Sequence, residues 1–212
     1  MAHPKLRVLE ESGFVVLRPV ETPIPEPEYL DLEYMEWRSG GDTNFAPIAS
    51  ARGDLECAGF WDHGKPDKDG IWTENANRCP SIVAWVDDVG ANFGRVRTIK
   101  LEPQDYEAAL RNMHQDDNNR LNPDGEGWVV RAWLELTDNP DSYMVLRDNK
   151  DDPSTESRVP LARGSQFVVD TERLWHVVCH DGAEPRYALI ASFESGPALD
   201  RWIERQLAEV NA

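Results

Sequence analysis

His114, Gln115 and Asp116 set an imidazole and a carboxylate two residues apart. In an extended segment such residues project from one face, so the pair can hold a single metal ion. In a helix they point roughly 200° apart, at about 100° per residue, and cannot share one. The stretch from Asp105 to Met113 is rich in helix formers. Any helix there must therefore end by Asn112. Asp117 is a spare carboxylate, and the spacing favours Asp116. A second imidazole, His176, lies on a candidate strand after Gly164 and Asp170, and Arg186 follows ten residues later on the next one. Its planar guanidinium offers a fork for a carboxylate.

Other residues compete for these roles. His180 is an alternative to His176, but Arg186 would then follow at six residues across the Asp181-Gly182 turn, a poorer fit to the next strand. Taken alone, His114-x-Asp116 also suits a solvated loop histidine. His63, in Trp61-Asp62-His63-Gly64, reads as a loop residue or part of a lid. Asn118, Asn119, Arg120 and Asn122 form a dense polar cluster just past the motif. They serve either turn building, through bonds to nearby backbone, or substrate contact. Of the eight tryptophans, Trp133 and Trp175 are the candidates for the pocket.

The elements that must position these groups are mostly strands. Arg95–Leu101 alternates polar and apolar residues, the pattern of a strand with one face in a core. Further strands are expected over 127–136, 142–146, 165–169, 174–179 and 186–193, separated by turn residues, which points to an all-β barrel or jelly roll. Phe14–Val20 reads as a short strand, Glu21–Glu28 as a proline-rich connector, and Pro27–Arg38 as a possible helix. From Ser39 to Cys79 the chain reads as ordered loop pinned by Phe45, Phe60, Trp61 and Trp72. A helix is expected over Pro197–Val210.

Composition bounds the function. The 212 residues suit one domain, with 1–92 an irregular shell and possible lid, 93–196 the site-bearing β domain and 197–212 the terminal helix. Twenty-two basic against 39 acidic residues give a net charge of −17, a field that repels nucleic acid and anionic membranes. It favours a cationic or zwitterionic ligand over a polyanion. Cys57, Cys79 and Cys179 lack CxxC spacing and read as reduced thiols. No apolar run approaches the roughly 20 residues of a spanning helix, and Met1–Glu10 lacks the apolar centre of a signal peptide. A cytoplasmic location is expected, with the oligomeric state left open.

Two histidines and one aspartate form the facial triad of non-haem Fe(II) oxygenases. With Gly94-Arg95-Val96-Arg97, His114-Gln115-Asp116, Arg131–Leu136, Trp175–Val178 and Arg186–Ile190, the chain from about Phe93 to Phe193 resembles the Fe(II)/2-oxoglutarate-dependent dioxygenases. It is most similar to the branch holding the aspartyl/asparaginyl β-hydroxylases and the proline hydroxylases. The resemblance implies a double-stranded β-helix, the cupin-type jelly roll. It implies His114, Asp116 and His176 as iron ligands, Arg186 on the far carboxylate of 2-oxoglutarate, and Arg131 facing substrate or cosubstrate. The aspartyl/asparaginyl enzymes lack the ligand carboxylate that Asp116 supplies here, which favours the proline-hydroxylase type. Fe(II), 2-oxoglutarate and O2 would hydroxylate an unactivated C–H of an amino acid, a peptide-linked residue or an amino-acid-derived metabolite. Two other classes compete: a metal-binding cupin without oxygenase activity, and an acidic binding module for a cationic partner.

Overall fold

The computed structural model describes residues 6–37, 43–122 and 127–208. In chain order these form α1 (Arg7–Glu10), β1 (Phe14–Leu17), α2 (Pro27–Leu30), β2 (Met35–Glu36), β3 (Thr43–Ser50), β4 (Ile71–Trp72), α3 (Pro80–Val89) and β5 (Phe93–Leu101). There follow α4 (Tyr106–Arg111), β6 (Val129–Glu135), β7 (Ser142–Arg147), β8 (Ser157–Pro160), β9 (Gln166–Val169), β10 (Trp175–His180), β11 (Arg186–Glu194) and α5 (Pro197–Ala208). The large sheet runs β1-β9-β6-β11-β5-β3-β2, with β4 on β3, and the small sheet runs β10-β7-β8. The strands pair antiparallel, giving a mainly β fold of jelly-roll type with a C-terminal helix.

Alternation along the strands sorts their side chains between two cores. On one side of the large sheet, Val96, Ala132, Leu189 and Phe193 pack under α3 and α5, where Trp85 meets Trp202 edge to face at 5.9 Å. On the other, Ile99, Trp133, Phe167 and Ile190 face Met144 and Leu146 of the small sheet. A third cluster seats α4, through Ala109 and Met113, on the back of the small sheet against Val145, Val177 and Cys179. Burying each such aliphatic or aromatic side chain contributes roughly 1.5–3 kcal/mol. The site forms between the two sheets, at the end where α4 delivers the chain to β10.

The six strands expected in the second half appear as β5, β6, β7, β9, β10 and β11, and α4 ends at Arg111 with Asn112 as its cap. All three cysteines are buried free thiols. The N-terminal third differs from expectation. Within the supposed loop from Ser39 to Cys79, β3 is an eight-residue strand of the large sheet, paired with β5. Pro47 obscured it, because a proline cannot donate to a sheet ladder. Here Pro47 stands in the gap between the stretches of β3 paired to β2 and to β4, beside a register shift against β5. Among the described residues of the possible helix over 27–38, only Pro27–Leu30 is helical, and Met35–Glu36 is a strand. Helix α3 has no counterpart in the sequence reading, although Ile82, Val86 and Val89 share a buried face. Residue 38 of the possible helix, 39–42 of the expected loop and 209–210 of the expected terminal helix lie outside the described residues.

Candidate metal centre

His114 reaches its place because α4 stops in time. Past Asn112 the chain is extended, and His114 pairs with His176 as an isolated antiparallel bridge, donating N–H to its carbonyl at 3.2 Å and accepting at 2.8 Å. Two residues on, the Asp116 N–H bonds the Thr171 carbonyl at 2.9 Å. The side chains of His114 and Asp116 therefore share one side, and β10 turns His176 toward them. One nitrogen of each imidazole and an Asp116 oxygen lie within 4.8 Å of one another. His114 Nε2 stands 3.9 Å from Asp116 Oδ1, and the two imidazole rings are 4.4 Å apart.

The donor set suits a divalent first-row ion. Each histidine turns Nδ1 to a carbonyl two residues back, His114 to Asn112 at 2.8 Å and His176 to Leu174 at 3.3 Å. A carbonyl only accepts, so the proton sits on Nδ1 and Nε2 keeps its lone pair for a metal. Burial, opposed in part by Asp116, drives His176 down to about 4, so its ring is neutral at physiological pH. Burial alone would raise Asp116. Arg131 above all, with both histidines and Arg95, instead holds it well below the usual carboxylate range.

Behind Asp116 stands a buried ionic network. Arg131 donates Nε to Asp116 at 3.0 Å, Nη1 to Ser192 at 2.6 Å and Nη2 to Asn118 at 2.6 Å. Asp67 accepts from the backbone and guanidinium of Arg95 and from Ser192. This contact needs Gly94, where any Cβ would run into the backbone of Asp67. Asp67 was not singled out in the sequence, and Arg95 and Glu135 entered only as parts of motifs, with no role at the site. The alternation Arg95-x-Arg97-x-Ile99 was the available signal, since it puts both arginines on the inner face with Ile99.

A cavity of about 500 Å³ opens beside the triad. Its walls include Trp37, Phe45, Trp61, Arg97, Trp133 and Arg186. Trp133 stacks on Phe167 at 5.4 Å and turns an edge toward His176 at 6.2 Å. Arg186 is fully buried and clasped by Glu135, with Nε 2.9 Å from Oε2. Its Nη1 is buried without a hydrogen-bond partner among the described residues. Arg131 reaches the site through Asp116.

The polar cluster after the motif divides. Asn118 links Arg95, Arg131 and Thr171. Asn119 bonds the Val129 backbone and Glu172, while Asn122 bonds Asn119 and the Gly127 carbonyl. Arg120 stands at the surface, 3.7 Å from Asp117 and over the Trp61 ring at 5.9 Å. His180 is held away from the triad: Ser142 Oγ meets Nδ1, and Nε2 meets the Glu184 carbonyl, both at 2.7 Å. His63 pairs with Glu56 at 2.9 Å. Trp72 packs on Phe93 at 4.4 Å, and Trp175 lies beneath Lys150.

The jelly-roll fold, with His114, Asp116 and His176 gathered at one end of it, is similar to that of solved 2OG-Fe(II) oxygenases. Among solved structures, the fold is similar to a 2OG-Fe(II) oxygenase family oxidoreductase from Burkholderia pseudomallei, at a TM-score of 0.55 and 14% identity over 88% of this chain and 86% of that one. It is also similar to a prolyl-4-hydroxylase from Pseudomonas putida, at 0.50 and 14% over 91% and 97% of the two chains. A Trichoplax adhaerens prolyl hydroxylase, solved with a hypoxia-inducible-factor peptide fragment, matches at 0.50 and 12% over 96% and 90%. No family model matches the sequence, and no curated protein matches it as a relative. Among the described residues, no helix is long and apolar enough to cross a membrane.

Proposed function

We propose that this chain is an Fe(II)/2-oxoglutarate-dependent hydroxylase of the proline-hydroxylase type, acting on an amino acid, a peptide-linked residue or an amino-acid-derived metabolite. The observation that carries the reading is the convergence of His114, Asp116 and His176, with both Nε2 lone pairs left free by backbone carbonyls. Fe(II) with 2-oxoglutarate and O2 supplies an oxidant for an unactivated C–H, which no amino-acid side chain can provide.

The chain's own residues do the positioning. His114, Asp116 and His176 would hold the ion. Arg131 keeps Asp116 ionised and oriented. Arg186 offers its unpartnered Nη1 to the far carboxylate of the cosubstrate, while Glu135 fixes the plane of the guanidinium. Trp37, Phe45 and Trp61 wall the cavity, and the segment carrying Trp61 acts as the lid that excludes water once substrate is in place. A metal-binding cupin without oxygenase activity leaves Arg186 Nη1 without a role, and an acidic binding module leaves the triad without one. The test is succinate and CO2 production from 2-oxoglutarate, dependent on Fe(II) and abolished by His176→Ala, together with mass spectrometry for a +16 Da product in incubated metabolite extracts.

A further inference from the structure

Arg97 is a cationic side chain lining the cavity that pairs with no carboxylate among the described residues. Its Nε and Nη1 are buried with no hydrogen-bond partner among those residues. The guanidinium is held in place by rings, 4.2 Å over Phe45 and 4.8 Å over Trp37. Its inward neighbours are all engaged. Arg95 is paired with Asp67, Arg131 with Asp116 and Arg186 with Glu135. An arginine cannot shed its charge in a protein, and leaving buried N–H groups of a cation unmade is costly. Burial, with the repulsion of Arg95 and Arg131, disfavours the charge on Arg97 further. Such a position is stable chiefly when something anionic fills the space in front of it.

Charge matching across the inner face leads the same way. Four guanidiniums, Arg95, Arg97, Arg131 and Arg186, stand against three carboxylates, Asp67, Asp116 and Glu135, which leaves Arg97 in surplus. A divalent ion and a dianionic cosubstrate neutralise each other and leave that surplus in place. Register keeps the anion sites apart. Arg97 lies opposite Ile190 on β11, four residues along the strand from Arg186, a separation of roughly 13 Å at about 3.3 Å per residue.

Resting on the hydroxylase reading for the identity of the cavity, we propose that Arg97 binds a carboxylate of the substrate, and that the substrate is an organic acid or amino acid with a free carboxylate and an apolar body lying against Trp37, Phe45 and Trp61. A carboxyl already consumed in a peptide bond could still accept a hydrogen bond but would leave the guanidinium charge unneutralised, so a free acid or a C-terminal residue fits better than a neutral internal peptide residue. The charge of the molecule as a whole does not oppose this. Its −17 is spread over the surface and is screened beyond about 8–10 Å, whereas Arg97 acts at contact distance within a low-dielectric wall.

The probes are phenylacetate and phenylacetamide, which differ in the carboxylate alone, titrated against tryptophan fluorescence with Trp37 as the nearest reporter. Titrations use the bare chain and the chain loaded with Fe(II) and 2-oxoglutarate under nitrogen. Wild type is expected to bind phenylacetate about ten-fold or more tightly than the amide, the worth of one charged hydrogen bond. In Arg97→Met, whose unbranched side chain keeps the packing between the rings, that preference is expected to vanish while 2-oxoglutarate affinity stays at the wild-type value. Near-UV circular dichroism checks that the variant is folded, with Arg97→Gln as its replacement if it is not. Equal affinities in wild type, no saturable response to phenylacetate, or a preference surviving in the variant would overturn the proposal. Loss of 2-oxoglutarate affinity in Arg97→Met would also overturn it, assigning Arg97 to the cosubstrate. If wild type prefers phenylacetate but shows no Fe(II)-dependent 2-oxoglutarate binding, the carboxylate site stands and the hydroxylase reading falls.

Discussion

Arg131 Nε lies 3.0 Å from Asp116 Oδ2, so the carboxylate of the candidate metal centre is held from behind by a fully buried guanidinium. That guanidinium bonds Ser192 and Asn118 as well, and lies 3.6 Å from Asp67. The carboxylate is thereby fixed in the ionised form a metal requires, before any metal arrives.

Replacing Arg131 should therefore act on both stability and metal binding. Arg131→Met leaves the half-buried Asp116 without its cation, while Asp67 keeps Arg95, and breaking a fully buried pair costs about 3–5 kcal/mol, an upper bound here. Urea unfolding should show the loss. Residual folded protein should bind Co(II) about 10–100-fold more weakly, as expected when a group orienting a ligand is removed. Undiminished Co(II) affinity would mean Asp116 is oriented without Arg131.

Arg186 should separate charge from geometry. Arg186→Lys keeps a cation but cannot meet Glu135 and a carboxylate at once in the plane that a guanidinium allows. The KM for 2-oxoglutarate should rise about ten-fold in Arg186→Lys and further in Arg186→Ala. An unchanged KM in both variants would move the cosubstrate anchor elsewhere.

The wall of the cavity can be tested by one side chain. Removing Asp62–Asp69 as a block would also remove Asp67, the buried partner of Arg95, and so would disturb the fold along with the wall. Trp61→Ala keeps Asp67 and its bonds to Arg95, and removes only the ring that lies 5.6 Å from the Arg95 guanidinium. If the segment excludes water during turnover, this variant should consume 2-oxoglutarate with a several-fold lower yield of hydroxylated product, at unchanged metal affinity. Equal coupling would leave Trp61 a structural residue.

His180 gives the protein a pH signature independent of the metal. Burial, opposed in part by its bond to Glu184, lowers its pKa, so the folded state favours the neutral ring. The unfolded chain then binds the extra proton more readily. Stability is complete above the ordinary histidine value near 6.5 and declines as pH falls through and below it. In His180→Gln the drop in melting temperature from pH 7 to pH 5 should be shallower than in wild type, and an identical slope would argue against the assignment.

Much of this site could be read in the chain itself. The two-residue spacing of His114 and Asp116 and the end of the helix by Asn112 follow from local geometry, and the strands bearing His176 and Arg186 follow from alternation. Asp67 was invisible because its partner, Arg95, is 28 residues away and meets it only where Gly94 lets two backbones touch. The strand holding Phe45 was masked by Pro47, whose missing N–H is harmless only in the finished sheet. Glu135 looked like one more polar residue of an alternating strand, and its pairing with Arg186 depends on the register of β6 against β11. Asn119 and Asn122 follow turn chemistry, but their partners Val129 and Gly127 lie across the loop.

Adding Fe(II) and then 2-oxoglutarate to the protein under nitrogen and recording the visible spectrum asks whether His114, Asp116 and His176 bind iron together with the cosubstrate. A charge-transfer absorption band is expected that needs both additions, saturates at one equivalent of iron, and is lost in His176→Ala but kept in His180→Ala. A wild-type protein that gives no such band, or a band that survives His176→Ala, would contradict that binding.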